Sequence, residues 1–236
     1  MQAVLLAGGL GTRLRSVVND RPKPMTEVEN KPFLEHLISV LKRNGIIDII
    51  FAVGYKGSMI EEYFGDGSAF DIKASYAYEK EQLGTAGAIK NCKKYISEDK
   101  FFVLNADTFY DLDYSRLTKL SEEDDSVMSL VLRKVEDCSR YGTVKMDGNR
   151  VVAFNEKSET GGEGVINGGV YCMKASLLDE IPEGKVSLEN EMIPMWLKKG
   201  YVLKAFVNDG YFIDIGVPDD YFRFRNDVKE GRVITI

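Results

Sequence analysis

Histidine and cysteine are scarce in this sequence. The 236-residue chain has one histidine, His36, and three cysteines, Cys92, Cys138 and Cys172. A single histidine argues against any mechanism that needs a histidine base or several histidine metal ligands. The cysteines are odd in number and form no C-x-x-C pair, which argues against a zinc knuckle and a disulfide framework. We therefore expect the protein to work in a reducing cytoplasm.

An excess of positive charge and long hydrophobic runs are also missing. The chain has 31 Lys and Arg against 37 Asp and Glu, and its formal net charge is −6. Nucleic-acid binding generally needs a basic surface, so we expect no nucleic-acid partner and a phosphate site built locally from a few groups. No apolar stretch approaches the length of a membrane span, and Met1 leads into an apolar strand without a basic leader segment. We expect neither a signal peptide nor a membrane partner.

Strand and helix patterns alternate through the first half of the chain, which predicts a parallel sheet covered by helices on both faces. The second half changes character near residue 140, where the turn Asp147-Gly148-Asn149-Arg150 predicts a β-hairpin. This change indicates a small subdomain added to one α/β core. Helices are predicted over 13–18, 32–44, 58–64, 85–95, 188–199 and 219–229. Strands are predicted over 4–6, 46–53, 72–78, 101–104, 127–135, 142–146, 151–155, 166–173 and 202–207.

A glycine-rich turn follows the first apolar strand. Gly8, Gly9 and Gly11 remove side chains where a helix is about to begin, and Thr12 and Arg13 follow them. Such a turn lets backbone N–H groups approach a phosphate closely. The stretch lacks the G-K-[S/T] of a P-loop and the third glycine of a dinucleotide fingerprint. It favours a phosphate or nucleotide contact, and the alternative is a tight strand-to-helix connection.

A positioned lysine and two isolated aspartates follow. Pro22 and Pro24 hold Lys23 on a stiff, extended loop, although a solvated surface lysine is the alternative. Asp107 ends a buried strand, and Asp214 lies in the apolar run Tyr211–Ile215. Carboxylates at strand ends are natural Mg²⁺ ligands. The alternatives are a turn-forming aspartate at 107 and a helix-capping aspartate at 214.

These motifs resemble those of the sugar-1-phosphate nucleotidyltransferases, and they stand in that family's order along nearly the whole chain. The stretches that carry the resemblance are AGGLGTRL (7–14), PKPM (22–25), LGTAG (83–87), NAD (105–107), YG (141–142), EK (156–157), NGG (167–169) and DIG (214–216). The segments INGGVY, SLENE and GYFIDIGVPDDY are most similar to the branch that uses GTP and D-glycero-D-manno-heptose 1-phosphate. The resemblance implies a Rossmann-like mixed, mainly parallel sheet in a single domain, 1–236. That domain would consist of a nucleotide-binding core over about 1–135 and a sugar-phosphate-binding part over about 136–236.

The reaction that the resemblance implies is attack of a sugar 1-phosphate oxygen on the α-phosphorus of a nucleoside triphosphate, with pyrophosphate leaving. A sugar phosphate loses its second proton near a pKa of about 6, so the attack needs no histidine base. The resemblance gives catalytic roles to Arg13 and Lys23, on the phosphates, and makes Asp107 and Asp214 the Mg²⁺ ligands. GDP-heptose for a surface polysaccharide, such as a capsule, is the implied product.

The resemblance also implies two sets of binding residues. The nucleotide would be held by Leu6, Ala7, Gly8, Gly9, Gly11 and Thr12, with Gln82, Gly84 and Thr85 reading the base. Thr85 as a helix N-cap is the alternative for that last group. The sugar phosphate would be held by Asn105, Gly142, Glu156, Lys157, Asn167, Gly168, Gly169 and Glu189.

Other functions remain open at this stage. Mannose 1-phosphate with GTP, or another sugar 1-phosphate with CTP, UTP or dTTP, would fit the same motifs. A catalytically silent regulatory subunit is disfavoured because Arg13, Lys23 and both aspartates are present. A nicotinamide dehydrogenase is disfavoured because Val53-Gly54 stands where an acidic residue would end the next strand. We expect a monomer or a homodimer.

Overall fold

A mixed sheet of nine strands forms the centre of the computed structural model, which describes residues 1–9, 14, 20–123, 125–139, 141–155 and 161–233. The strands in chain order are β1 (Gln2–Leu6), β2 (Glu27–Val28), β3 (Lys31–Pro32), β4 (Asp48–Val53), β5 (Lys73–Tyr78), β6 (Lys100–Asn105), β7 (Thr108–Tyr110), β8 (Met128–Val135), β9 (Thr143–Asp147), β10 (Arg150–Asn155), β11 (Gly164–Lys174), β12 (Leu203–Val207) and β13 (Phe212–Asp214). The large sheet has the order β5-β4-β1-β6-β11-β8-β12-β10-β9, and β2-β3 and β7-β13 are separate two-stranded pairs.

The first half of the sheet is parallel because its strands are connected by helices. The strands β5, β4, β1 and β6 all pair in parallel, with Leu5 opposite both Phe51 and Leu104. All three of these side chains are fully buried or nearly so, as expected of strands covered on both faces. The carboxyl ends of these four strands therefore lie along one edge of the sheet.

Helices cover both faces of this sheet. They are α1 (Phe33–Arg43), α2 (Ser58–Phe64), α3 (Gly84–Asn91), α4 (Tyr114–Glu122), α5 (Ile193–Lys198) and α6 (Pro218–Lys229). One core cluster includes buried side chains of α1, α2, α4 and α6, and the other includes buried side chains of α3, α5 and the segment before α5. Among the described helices, none is long and apolar enough to cross a membrane.

The second half of the sheet is largely antiparallel. The long strand β11 pairs antiparallel with β6 and β8, and the predicted hairpin is formed by β9 and β10. A further pairing of Ile166 with Thr143 joins β11 to β9, so that β11, β8, β12, β10 and β9 form a closed ring of pairings. The expected α/β fold with a mixed sheet flanked by helices is confirmed.

Two predicted helices differ from those observed. The first ends at Asn91 and continues as a separate 3₁₀ helix, Lys93–Tyr95. The second is divided into a π-helical turn, Leu188–Met192, and α5. Proline at position 194 has no N–H for a preceding turn and is favourable only near a helix start, so α5 begins there. The predicted helix over 13–18 lies outside the described residues, apart from Leu14.

The pair β7-β13 was missed from the sequence because each strand has only three residues. Its register places Asp214 opposite Thr108 and Phe212 opposite Tyr110. Helix α4 was also missed. The two short strands matter because they bring the carboxyl-terminal part of the chain to the end of β6.

Replacing Tyr110 by Phe should lower the free energy of unfolding by about 1 to 2 kcal/mol, because a buried hydrogen bond is lost. The Tyr110 hydroxyl donates to Asn208 O at 2.5 Å and lies 2.9 Å from Leu132 O, and the side chain is fully buried. Urea denaturation at neutral pH measures the change. The matched control is Tyr114→Phe, since the buried Tyr114 hydroxyl has no hydrogen-bond partner among the described residues. A control variant destabilised as much as Tyr110→Phe would contradict this account of β7.

Candidate functional site

The site is built where β1 and β6 end side by side. Leu6 and Asn105 are paired in register, and the N–H of Ala106 donates to Leu6 O at 3.2 Å. The turn that begins at Ala7 therefore lies next to the segment that leads to Asp107. Ligands of parallel sheets bind at this edge because the loops after the strands open a crevice there.

Lys23, Asp107 and Asp214 meet at this edge, although 84 and 191 residues separate the lysine from its two partners. Lys23 Nζ lies 2.6 Å from Asp107 Oδ2 and 3.2 Å from Asp214 Oδ1. The lysine side chain is only 8% exposed. A solvated surface lysine, the alternative from sequence, is therefore wrong.

Each of the three residues is positioned by a different local device. Lys23 opens a 3₁₀ turn after the extended Pro22. The N–H of Ile215 donates to Asp107 O at 3.0 Å, which ties the two aspartate segments together. The cap of α6 is Val217 without a side-chain hydrogen bond, so Asp214 is not its cap. The capping interpretation of Asp214 is wrong.

The donor chemistry of this cluster suits Mg²⁺. Within the described residues, no group of three or more His, Cys, Asp or Glu side chains forms a metal cluster. Mg²⁺ needs only one or two carboxylates when phosphate oxygens and waters complete its shell. Asp107 and Asp214, joined through one ammonium, meet that requirement.

The glycine turn is described up to Gly9, whereas Gly11, Thr12 and Arg13 lie outside the described residues. A Cβ built on Gly8 would lie 2.3 Å from Glu79 Oε1, so the Glu79 carboxylate packs directly against the turn. Glu79 Oε2 accepts a hydrogen bond from Leu83 N–H at 3.2 Å. Burial raises the pKa of the Glu79 carboxyl, and the Leu83 N–H opposes that shift.

Sequence reasoning missed Glu79. The signal was present, because Glu79 directly follows β5 just as Ala7 and Ala106 follow β1 and β6. Three strands of the parallel half, β5, β1 and β6, thus end along the same edge of the sheet. The rule of strand ends, applied to β5 as well, would have included it.

The segment after Glu79 is set by close backbone contacts. Gly84 has φ +68°, and a Cβ there would lie 2.5 Å from Val186 O. Helix α3 is capped at Leu83 without a side-chain hydrogen bond, so the N-cap interpretation of Thr85 is wrong. Instead, Thr85 Oγ1 donates to Glu189 Oε2 at 2.8 Å and accepts from Leu188 N–H at 2.7 Å. Gln82 is exposed at the start of this segment.

Three of the predicted sugar-phosphate residues, Asn167, Gly168 and Gly169, lie in β11. The pairing of β11 with β8 shifts register between Asn167 and Tyr171, and Gly168 and Gly169 lie in that irregularity. A Cβ on Gly168 would lie 2.6 Å from Tyr110 Cε1, and one on Gly169 would lie 2.6 Å from Asn105 Nδ2. The structure therefore brings Asn105 and the Asn167–Gly169 segment together.

The remaining predicted sugar-phosphate residues are only partly described. A Cβ on Gly142 would lie 2.8 Å from Asn155 O, the last residue of β10. Glu156 and Lys157 follow Asn155 in sequence and lie outside the described residues. Glu189 accepts from Tyr171 OH at 3.0 Å as well as from Thr85. Both oxygens of its carboxylate are thus engaged by hydroxyl groups of the protein.

Replacing Gly169 by Ala should destabilise the fold by about 2 to 3 kcal/mol. An alanine at positive φ costs about 1 kcal/mol, and the new Cβ would also displace Asn105, whose Cβ would be 3.3 Å away. The matched control is Gly148→Ala, which has φ +58° and nothing within 4 Å of the built Cβ. Chemical denaturation of both variants gives the difference. Equal losses would show that the Asn105 contact carries no cost.

Comparison with known proteins agrees with this geometry. A family profile described as nucleotidyl transferase matches residues 2–231. The D-glycero-alpha-D-manno-heptose 1-phosphate guanylyltransferase of Campylobacter jejuni is 43% identical over 95% of this chain and 98% of its own. The protein of the same name from Aneurinibacillus thermoaerophilus is 39% identical over 97% of this chain and 99% of its own.

Solved structures extend the likeness to the fold. HddC from Yersinia pseudotuberculosis superimposes with a TM-score of 0.85 at 39% identity, over 96% of this chain and 99% of that one. HddC has also been crystallised in complex with GMP-PN. The profile, the relatives and the strand-end site point the same way, and the chain belongs to the nucleotidyl transferase family.

Proposed function

We propose that this protein transfers a guanylyl group from GTP to D-glycero-D-manno-heptose 1-phosphate, releasing pyrophosphate and forming GDP-heptose for surface polysaccharide synthesis. The observation that carries the proposal is the buried Lys23 ammonium between Asp107 and Asp214. The names of the relatives from C. jejuni and A. thermoaerophilus support the choice of base and sugar.

The chemistry needs a cation beside the reacting phosphorus and no general base. The sugar phosphate oxygen attacks the α-phosphorus, the bond to the bridging oxygen breaks, and pyrophosphate carries away that electron pair. The Lys23 ammonium neutralises charge that develops at the α-phosphate, and Arg13 stabilises the leaving pyrophosphate. The one histidine, His36, is buried against Val28 O and takes no part.

Asp107 and Asp214 would hold Mg²⁺ in this reaction. When bound, the ion supplies charge neutralisation at the phosphates and helps to orient them. Lys23 contributes in two ways: it keeps the two carboxylates together, and it presents a cation that phosphate oxygens can also contact.

The two halves of the chain would divide the substrates. The nucleotide lies against the turn Leu6–Gly9 with Gly11 and Thr12, in the part over about 1–135. The sugar phosphate contacts the segment 167–169 with Asn105, Gly142, Glu156 and Lys157, mostly in the part over about 136–236. This division places the reacting phosphates at the edge where β6 ends, next to Lys23.

Glu79 is a further candidate for base recognition, together with Gln82, Gly84 and Thr85. Its Oε1 faces Gly8 and accepts no hydrogen bond from the part of the chain that the structure describes. Guanine presents adjacent N1–H and N2–H donors, which a carboxylate accepts together. Adenine and cytosine lack that pair of donors, so Glu79 would favour GTP.

The setting that we propose is the cytoplasm, as a monomer or a homodimer. The three cysteines are buried and free of disulfide bonds, which suits a reducing compartment. GTP and sugar phosphates are substrates of that compartment.

The deciding experiment is pyrophosphate release with five nucleoside triphosphates, each against heptose, mannose, glucose and N-acetylglucosamine 1-phosphates. We expect release with GTP and heptose 1-phosphate, and none after chelation of Mg²⁺ with EDTA. Release with GTP and mannose 1-phosphate only would correct the sugar and keep the reaction. No release with any pair would overturn the proposed activity and favour a nucleotide-binding subunit.

The same panel tests the base. Glu79→Gln should lose about tenfold or more in kcat/KM for GTP, because the amide cannot accept from both guanine donors. An unchanged preference for GTP would return base recognition to Gln82, Gly84 and Thr85.

Asp107→Asn and Asp214→Asn should each lower kcat at least about 100-fold, because each removes a charge that would hold Mg²⁺ at the phosphates. Asp71→Asn is the matched control, since that side chain is 88% exposed and forms an ion pair with Lys42, which is not part of the candidate site. Circular dichroism checks that all three variants are folded. Turnover within about threefold of the wild type in both site variants would remove the metal assignment.

A further inference from the structure

A continuous chain of hydrogen bonds runs from the start of α3 to the irregular part of β11. Thr85 Oγ1 donates to Glu189 Oε2 at 2.8 Å, and Tyr171 OH donates to Glu189 Oε1 at 3.0 Å. Asn167 Nδ2 donates to the Tyr171 oxygen, and Asn167 Oδ1 accepts from Gly169 N–H at 3.1 Å. Four side chains from three segments of the chain are therefore joined end to end.

The direction of every bond in this chain is determined by the groups at its two ends. Leu188 N–H and Gly169 N–H can only donate, so Thr85 Oγ1 must accept from the first and Asn167 Oδ1 from the second. This orients the Asn167 amide with its NH₂ toward Tyr171. Tyr171 is fully buried, and burial raises the pKa of its phenol, which stays protonated and donates to Glu189. Each hydroxyl thus has both a donor and an acceptor.

The backbone at Glu189 is shaped for this contact. Glu189 lies in the π-helical turn Leu188–Met192, which Met192 N–H closes on Ser187 O at 3.1 Å. Ser187 caps the turn by accepting from Asn190 N–H at 3.1 Å. A π-helical turn widens the helix and changes the direction of its side chains, and such turns recur at functional sites. Here the turn directs one carboxylate to two hydroxyl groups on different elements.

The two ends of the chain lie in the two proposed subsites. Thr85 belongs to the segment Glu79–Thr85 beside the nucleotide turn, and Asn167 belongs to the segment beside Asn105 and Gly169. We propose that Tyr171 and Glu189 are positioning residues, and that they hold Asn167 in the orientation that binds the sugar phosphate by anchoring it to α3. This inference rests on the proposed function and gives Glu189 a role through Tyr171 in place of direct contact with the sugar.

The variant that interrupts this chain of hydrogen bonds is Tyr171→Phe. It keeps the ring and its packing, removes the hydroxyl that links Asn167 to Glu189, and leaves the Thr85–Glu189 bond in place. The Asn167 amide then loses its anchor, whereas the nucleotide side keeps its own. We expect the KM for the sugar 1-phosphate to rise about tenfold, while the KM for GTP stays within about twofold of the wild type.

The matched control is Tyr114→Phe on α4, which removes a buried phenol hydroxyl without a hydrogen-bond partner in the described part of the chain. Steady-state kinetics with each substrate varied in turn gives both KM values, and thermal unfolding checks the fold of each variant. A sugar-phosphate KM unchanged in Tyr171→Phe, or a parallel rise of both KM values, would overturn the positioning role. The same KM shift in Tyr114→Phe would overturn it as well.

Glu189→Gln keeps the inference testable if Tyr171→Phe does not fold. The amide has one oxygen to accept through, so one of the two hydroxyl groups of Thr85 and Tyr171 can no longer donate to residue 189. We expect a smaller rise in the sugar-phosphate KM, of about threefold or more, and no rise at all would overturn the inference. Wild-type protein that binds GTP but releases no pyrophosphate would instead contradict the proposed function, so the two failures are distinguishable.

Discussion

The ammonium of Lys23 is the constraint on which the site depends. An ammonium that is 8% exposed must be compensated, because an uncompensated buried charge is strongly destabilising. Asp107 and Asp214 provide that compensation from the end of β6 and the end of β13. The pairing of β7 with β13 brings the second aspartate to the lysine, with Asp214 Oδ1 at 3.2 Å from Lys23 Nζ. The packing of this edge, its charge balance and the proposed chemistry therefore all depend on Lys23, Asp107 and Asp214.

The glycines of the site make room for neighbouring side chains of the protein itself. Gly8 admits the Glu79 carboxylate, Gly168 admits the Tyr110 ring, and Gly169 admits the Asn105 amide. In each case a Cβ would lie within 2.6 Å of the neighbouring side chain. Gly9 is different, because a Cβ there would meet nothing within 4 Å in the part of the chain that the structure describes. Three of these four glycines therefore make room for a neighbouring side chain of the site.

The two halves of the sheet have different physical roles. The parallel half aligns the ends of β1, β4, β5 and β6, and the glycine-rich turn, Glu79 and Asp107 lie along this edge. The antiparallel half supplies β11, whose register shift places a short segment of irregular backbone beside Asn105. The hydrogen bonds through Glu189 and Tyr171 connect helix α3 to strand β11. These bonds fix the relative positions of segments of the site that are distant in sequence.

Local pattern was enough for the elements whose periodicity is strong. Helix α2 was predicted with its observed bounds, and α1 and β5 were predicted to within a residue, because apolar spacing and flanking Pro or Gly determine them locally. The mixed sheet and the family followed from motifs that the sequence displays directly. Tertiary structure alone decided the three-residue strands β7 and β13, the burial of Lys23 and the contact of the Glu79 carboxylate with Gly8. These features depend on long-range pairing and desolvation, which have no local periodicity for a sequence to display.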